Sequence, residues 1–321
     1  MPLQSLKRRA IGPSLNAISR FRRYDAKDAL IIAADPRGGS TWLFEVLQGI
    51  PKTATIYEPL HLGVIPGLKA IGVGWDQPVP DDADWPELEE WFAKCFSGAE
   101  LNEFICGYSR LREFLYAERL LVKFVRAKLM LPWLIRTFAF RHKPIMMTRH
   151  PIAVALSASK HKWFKKEGGA FPMPEHYPGY YLEHEDILQS LETPEEYFVA
   201  RWCLTNKYLL EHPDHRQKWC VLHYEHLLLA PQESVEHIFS EWGMAMPDRI
   251  SERFDRASRT NIEGDFRSSR LEQLDKWKDG YDQQTIGRFR RIMDHFEIDL
   301  YDGSSMPRRD SAALGHMPVS I

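Results

Sequence analysis

The chain is poor in several things, and each shortage excludes something. It has four cysteines, Cys95, Cys106, Cys203 and Cys220, with no CxxC pair and no histidine at zinc spacing. They read as free thiols in a reducing compartment. No stretch approaches the roughly 18 consecutive apolar residues of a membrane-spanning helix. Lys7, Arg8, Arg9 and Arg20 interrupt the N-terminal segment, so a secretory leader is not expected there. An excess of one charge is also missing: 42 basic residues face 44 acidic ones, a net charge of −2. Nucleic-acid binding, which normally shows a basic balance, is therefore not expected. Any anion site must be a local cluster of Arg and Lys. Internal repeats and low-complexity segments are absent. Together these point to a cytoplasmic protein.

What remains is an ordinary globular composition, 44% hydrophobic and 12% aromatic, over 321 residues. Residues 1–27 form a basic, weakly amphipathic leader, in which Arg20, Arg22 and Arg23 interleave with Leu15, Ile18 and Phe21. Such a leader either packs on the domain or touches an acidic surface, such as the inner face of a membrane. Ala29–Ala34 is a short apolar run ended by Asp35 and Pro36, the pattern of a buried parallel strand. A helix should follow from Ser40 to about Gly49, then a strand over Thr53–Tyr57. Residues 60–118 look like an irregular insertion. Arg119–Arg126 fits either a strand or the start of a helix. Pro144–Thr148 predicts another strand and Pro151–Lys160 a helix opened by proline. A second irregular segment, near 160–192, carries enough Gly and Pro for a long loop. Beyond it the spacing predicts a helix over Glu195–Glu211, a strand over Trp219–Leu222, and helices over Pro231–Trp242 and Gln283–Phe296. Residues 302–321 read as a mobile tail. Strands alternating with helices imply one α/β domain over 28–301 with a central parallel sheet in three layers. Ligands of such sheets bind beyond the carboxyl ends of the strands.

Two motifs fall at predicted strand ends. The first is Pro36-Arg37-Gly38-Gly39-Ser40-Thr41-Trp42, after the first strand and opening a helix. Gly38 and Gly39 let the backbone wrap close to an anion. The N–H groups of Gly39, Ser40 and Thr41 present the positive helix end to it. Ser40 and Thr41 add hydroxyls, Arg37 a forked charge, and Trp42 a flat face for a base. A kinase loop would instead read GxxxxGK followed by Ser or Thr. The second motif is Arg149-His150-Pro151 with Ser157 in the following helix. Arg149 stands where a nucleotide kinase would place a magnesium-binding carboxylate. It suits a second bare phosphate.

With both motifs in hand, the chain resembles the PAPS-dependent sulfotransferase superfamily, which uses 3'-phosphoadenosine 5'-phosphosulfate (PAPS). Pro36–Trp42 is similar to the family's 5'-phosphosulfate motif, and Arg149 with Ser157 to its 3'-phosphate motif. Arg37 in place of the cytosolic branch's Lys resembles carbohydrate-type and bacterial members. The segment Val221-Leu222-His223-Tyr224-Glu225 is similar to a family strand end whose Tyr contacts adenine, which carries that role to Tyr224. Arg267-Ser268-Ser269, ahead of Trp277-Lys278, loosely resembles the loop that serves the 3'-phosphate. The resemblance implies a P-loop-like α/β sulfotransferase fold, PAPS as co-substrate, no metal, and a hydroxyl-bearing acceptor.

A base must take the acceptor's proton. Tyr57-Glu58-Pro59 resembles a segment of carbohydrate and tyrosyl-protein sulfotransferases whose Glu is the base, so Glu58 is the candidate. The alternative is that Glu58 pairs with Arg37 and only organises the site. His61 is the rival base. Arg37 would stabilise the leaving phosphate. Trp75, Tyr108, Trp163, Phe164, Tyr177, Tyr180 and Tyr181 could floor an acceptor site for a saccharide or glycolipid. Lys160, His161, Lys162, Lys165 and Lys166 could draw in an acidic one. Two other functions stay open: a silent protein that binds PAPS or 3',5'-ADP, and a P-loop small-molecule kinase.

Overall fold

A computed structural model of the chain describes residues 11–161, 171–256 and 270–308. Its centre is a sheet of five strands: β1 (Leu30–Ala34), β2 (Thr53–Tyr57), β3 (Arg119–Phe124), β4 (Ile145–Thr148) and β5 (Cys220–His223). The order across the sheet is β2-β3-β1-β4-β5, and every neighbouring pair runs parallel. β1 lies at the centre, with Ala33 in register with Phe124 on one side and Met146 on the other. It is buried throughout, because helices cover both faces, and that is why its sequence is apolar without alternation.

The two faces still divide by residue parity. Leu30, Ile32 and Ala34 pack with the helices Ser40–Leu47 and Pro231–Glu241. Ile31 faces the other way, into the core built by Pro86–Ser97 and Leu131–Phe138. A second core on that side joins Pro194–Leu210 to Pro151–Ser159 and Gln283–His295. The chain leaves β1 for β2 in one direction and returns through β3 to β4 in the other. This reversal marks the space beyond the carboxyl end of β1 as the crevice in which ligands of a doubly wound sheet usually bind.

Several elements differ from the sequence expectation. Arg119–Arg126, ambiguous by pattern, is a strand up to Phe124, with five of its six residues buried. The insertion 60–118 is more regular than expected. It holds helices at Pro66–Ala70, Pro86–Ser97 and Leu111–Tyr116, and Leu88, Phe92, Cys95 and Phe96 form a buried stripe at helical spacing. In the predicted loop 160–192, the described part contains short helices at Gly179–Leu182 and Glu185–Gln189. The leader's helix, Ile11–Phe21, buries Leu15 and Ile18 against the domain. Residues 302–308, expected in a mobile tail, fold back: the Ser305 hydroxyl donates to Asp275, and the Arg308 N–H donates to the Leu300 carbonyl over 2.8 Å.

Candidate functional site

The first motif forms a tight turn at the end of β1. Its opening residue, Asp35, is buried. It accepts from Lys128 Nζ at 2.8 Å, and the same ammonium donates to Asn206 Oδ1 at 2.7 Å. The start of the turn is therefore tied by an ion pair to Lys128 and by hydrogen bonds of Asn206 to the helix Pro194–Leu210. Gly38 N–H donates to the Asp35 carbonyl over 3.0 Å. Arg37 has φ 63° and Gly39 φ 84°. Arg37 thus occupies the left-handed region that side chains rarely adopt, a strain typical of functional turns. A Cβ on Gly39 would lie 2.3 Å from Tyr224 Cδ2, so only glycine fits. The helix starts at Ser40. The N–H groups at its start have no acceptor within the helix and lie just past the carboxyl end of β1. Trp42 differs from expectation: it is 7% exposed and set among core residues, so its indole face is covered.

The second motif closes on the first. Arg149 Nη1 donates to the Arg37 carbonyl at 3.1 Å, and its guanidinium carbon lies 4.4 Å from the centroid of the Tyr224 ring. Arg37 Nε donates to Ser157 Oγ at 3.1 Å. Arg37, Gly39, Arg149, Ser157 and Tyr224 thus come from three strand ends into one cluster. Arg149 pairs with no carboxylate in these contacts; it holds a carbonyl and an aromatic face. Glu225 fixes the frame: Oε1 accepts the His150 N–H at 2.8 Å and Oε2 the Tyr301 hydroxyl at 3.0 Å. His150 caps its helix, with Nδ1 accepting from Ile152 N–H at 3.2 Å. It also stacks on Trp277 at 4.2 Å. Burial, helped by Arg149 and Lys278, pulls its pKa down to about 3, so the ring stays neutral.

Glu58 sits at the end of β2 with φ 50°. It does not pair with Arg37. Oε1 accepts from Lys123 Nζ at 2.6 Å and Oε2 from the Val125 N–H at 3.0 Å. Lys123 also donates to Thr41 Oγ1 at 3.2 Å and lies 4.6 Å from the Tyr57 ring centroid. This ammonium, 2% exposed, joins Glu58 to the helix start of the first motif. Sequence reasoning missed it. The available signal was a lone lysine inside the apolar run Arg119–Phe124, beside an undecided assignment. His61 lies on the turn after Glu58, its N–H donating to the Glu58 carbonyl at 3.1 Å. Its ring meets Trp75 and Phe104. Burial and Arg126 push its pKa below the usual histidine range.

Most of the expected aromatic platform is used in packing. Tyr108 stacks on Tyr57 at 4.5 Å. The Tyr180 hydroxyl donates to the Leu204 carbonyl and that of Tyr181 to the Asp76 carbonyl. Tyr177 lies against Trp85. Trp75 remains beside the site, with the Arg126 guanidinium 3.8 Å over its ring. Lys160 and His161 lie just past the Ser157 helix, and the charge of Arg37 helps burial to lower the His161 pKa. Lys162, Trp163, Phe164, Lys165, Lys166, Arg267, Ser268 and Ser269 lie outside the described residues.

A parallel sheet with a glycine turn opening a helix at its central strand end defines a P-loop-like α/β protein. Residues 27–295 match the sulfotransferase domain family, and the chain belongs to it: the protein is a sulfotransferase. No curated protein matches the chain. Solved structures that resemble it include the sulfotransferase domain from the curacin biosynthetic pathway, with 16% identity, TM-score 0.47, and coverage of 84% of this chain and 98% of that one. Mouse sulfotransferase SULT7A1 complexed with PAP has 14% identity, TM-score 0.46, and coverage of 88% and 87%. The sulfotransferase domain of the Synechococcus PCC 7002 olefin synthase has 18% identity, TM-score 0.46, and coverage of 85% and 96%.

Proposed function

We propose that the protein moves a sulfuryl group from PAPS to a hydroxyl of a saccharide or glycolipid. The observation that carries this is the convergence of Arg37, Arg149 and Ser157 around a turn in which a side chain at Gly39 would strike Tyr224. Two cationic side chains and a helix start in one crevice suit a ligand with two separate phosphate groups. The turn from Gly38 to Thr41 would hold the 5'-phosphosulfate, with Arg37 beside the bridging oxygen. Arg149 and Ser157 would hold the 3'-phosphate, joined by Arg267 and Ser268 as the family resemblance implies. Tyr224 would meet the adenine, the more open ring now that Trp42 is buried. The four buried thiols fit a cytoplasmic setting.

In the transfer, the acceptor oxygen bonds to sulfur as the sulfur–oxygen bond to the phosphate breaks. The electron pair stays on the phosphate of 3',5'-ADP, where Arg37 stabilises it. The acceptor proton goes to Glu58. Lys123 and the Val125 N–H hold the carboxylate in one orientation, so the base is positioned before the acceptor arrives. The same two donors also favour a rival scheme, in which Glu58 only organises Lys123 and neutral His61 takes the proton.

Transfer of labelled sulfate from PAPS to a panel of saccharide and glycolipid acceptors tests the proposal, with calorimetry of 3',5'-ADP alongside. Metal-independent nucleotide binding and sulfate transfer are expected. Glu58→Gln should lose transfer by about a hundredfold or more and keep nucleotide binding. An active Glu58→Gln with a dead His61→Ala would move the base to His61. Binding without transfer to any acceptor would make the protein a silent PAPS-binding one. Tight magnesium-dependent ATP binding instead would point to a kinase.

A further inference from the structure

The leader helix and the helix Leu111–Tyr116 meet at one edge of the molecule. The Arg22 guanidinium donates to the Ala117 carbonyl, and the Tyr24 hydroxyl donates to the Phe114 carbonyl. Each helix buries one face: Leu15 and Ile18 on the first, Phe114 on the second. What they leave outside is unusual. Phe21 is 86% exposed, Tyr116 77% and Leu115 47%. Arg112, Leu115 and Tyr116, three and four positions apart, share one helical face. Arg20, Arg23, Arg110 and Arg112 are exposed around these side chains. The one acidic group in the two segments 20–23 and 110–117 is Glu113, and its carboxylate accepts the Arg110 N–H at 2.9 Å. Five arginines against one glutamate leave a charge of +4 over the two segments. The neighbouring Lys52 and Glu118 neutralise each other.

We propose that this edge docks on an anionic phospholipid surface. Exposed rings and a leucine among arginines are the makings of an interfacial anchor, with apolar side chains entering the headgroup boundary and guanidinium groups meeting phosphates. A second copy of the chain fits poorly, because a two-fold contact through this edge would set the same arginines against each other.

The position has a consequence for the reaction. The helix Leu111–Tyr116 leads straight into β3, and the Glu118 N–H donates to the Lys52 carbonyl just before β2. The edge thus lies at the amino ends of β2 and β3, whereas Glu58 and the first motif lie at carboxyl ends. A docked protein would keep its crevice open to solution, so nucleotide exchange would not require release from the membrane.

Flotation of the full chain with vesicles of phosphatidylcholine, alone or mixed with phosphatidylglycerol, tests this independently of any transfer activity. Binding to the mixed vesicles only, weakening with added salt, is expected. Arg20→Glu with Arg23→Glu should weaken binding about tenfold or more, given the roughly tenfold effect of one to two surface charges. Phe21→Ser with Tyr116→Ser should weaken it as well. Both pairs alter exposed side chains, so melting temperature and 3',5'-ADP affinity should match the parent. Failure of the parent to float with anionic vesicles, or equal binding by both variant pairs, would overturn the proposal. So would a dimer of the parent in sedimentation that both variant pairs dissolve, or salt-sensitive binding of RNA in place of lipid.

Discussion

The ion pair between Lys123 and Glu58 gives the sharpest test of the site's physical logic. Both side chains are removed from water, at 2% and 7% exposure, and their charged atoms are 2.6 Å apart. Lys123→Met keeps length and removes the charge. It leaves a buried carboxylate with the Val125 N–H alone. Breaking one side of such a pair costs roughly 3–5 kcal/mol, at least about a fifth of a stability of about 5–15 kcal/mol. Glu58→Gln strands the ammonium instead, with Thr41 Oγ1 and the Tyr57 ring as its remaining contacts, and should cost a similar amount. The double variant has no stranded charge. It should lose well under the sum of the two, giving a coupling of about 2 kcal/mol or more. Urea midpoints at constant m-value read each corner of the cycle. Additivity to within about 0.5 kcal/mol would refute the claim that these groups hold each other in place. The same proteins separate folding from chemistry: the double variant should regain much of its stability and still fail to transfer sulfate, because no carboxylate remains.

Two further outcomes follow from the second motif and the turn. His150 has a folded pKa near 3 against 6.5 for a free ring. Its contribution is fully present above pH 6.5 and is lost as pH falls toward 3, by roughly 5 kcal/mol at about 1.4 kcal/mol per pKa unit. His150→Asn keeps an oxygen to cap the Ile152 N–H and cannot titrate. Its urea midpoint should therefore decline less steeply than the parent's between these pH values, and an unchanged acid limb would count against the buried neutral histidine. Gly39→Ala must hold a side chain at φ 84° and push the Tyr224 ring aside. A left-handed alanine alone costs roughly 1–2 kcal/mol. A lower melting temperature and a clear loss of 3',5'-ADP affinity by calorimetry are expected; unchanged affinity would mean that Tyr224 and the turn do not share a ligand.

The architecture was legible wherever apolar runs met strand-ending residues. Leu30–Ala34 before Asp35-Pro36, and Ile145–Thr148 before Arg149, carry their own boundaries. Buried parallel strands need continuous apolar sequence, and the crevice residues necessarily follow them. Arg119–Phe124 resisted because Arg119 and Lys123 break its apolar run. That break has a cause: Lys123 is there for Glu58 and Thr41, and a strand interior bends its composition for the site. The helices within 60–118 were hidden by Gly, Pro and Trp clusters at their ends, although the stripe Leu88, Phe92, Cys95, Phe96 was readable in principle.

The candidate site's residues could be named from the sequence, but not their pairing. Residue types and spacing pointed to Arg37, Arg149, Ser157 and Glu58, yet nothing local says which of them touch. Glu58 and Lys123 are 65 positions apart, and their contact exists only because β2 lies beside β3, which also sets Tyr57 against Lys123 in register. The nearer guess, Glu58 with Arg37, fails on the same topology. β3 separates β2 from β1, so the side chain at the end of β2 meets the cation of the strand between before it meets the turn. Arg37 then turns toward the other neighbour of β1, where Ser157 follows β4. Sheet order thus parts the two charges of the turn region, Arg37 toward Ser157 and Glu58 toward Lys123, and both residues have left-handed backbone. Among the eight described non-glycine residues with positive φ, these are the two to which the proposed transfer scheme assigns the chemistry.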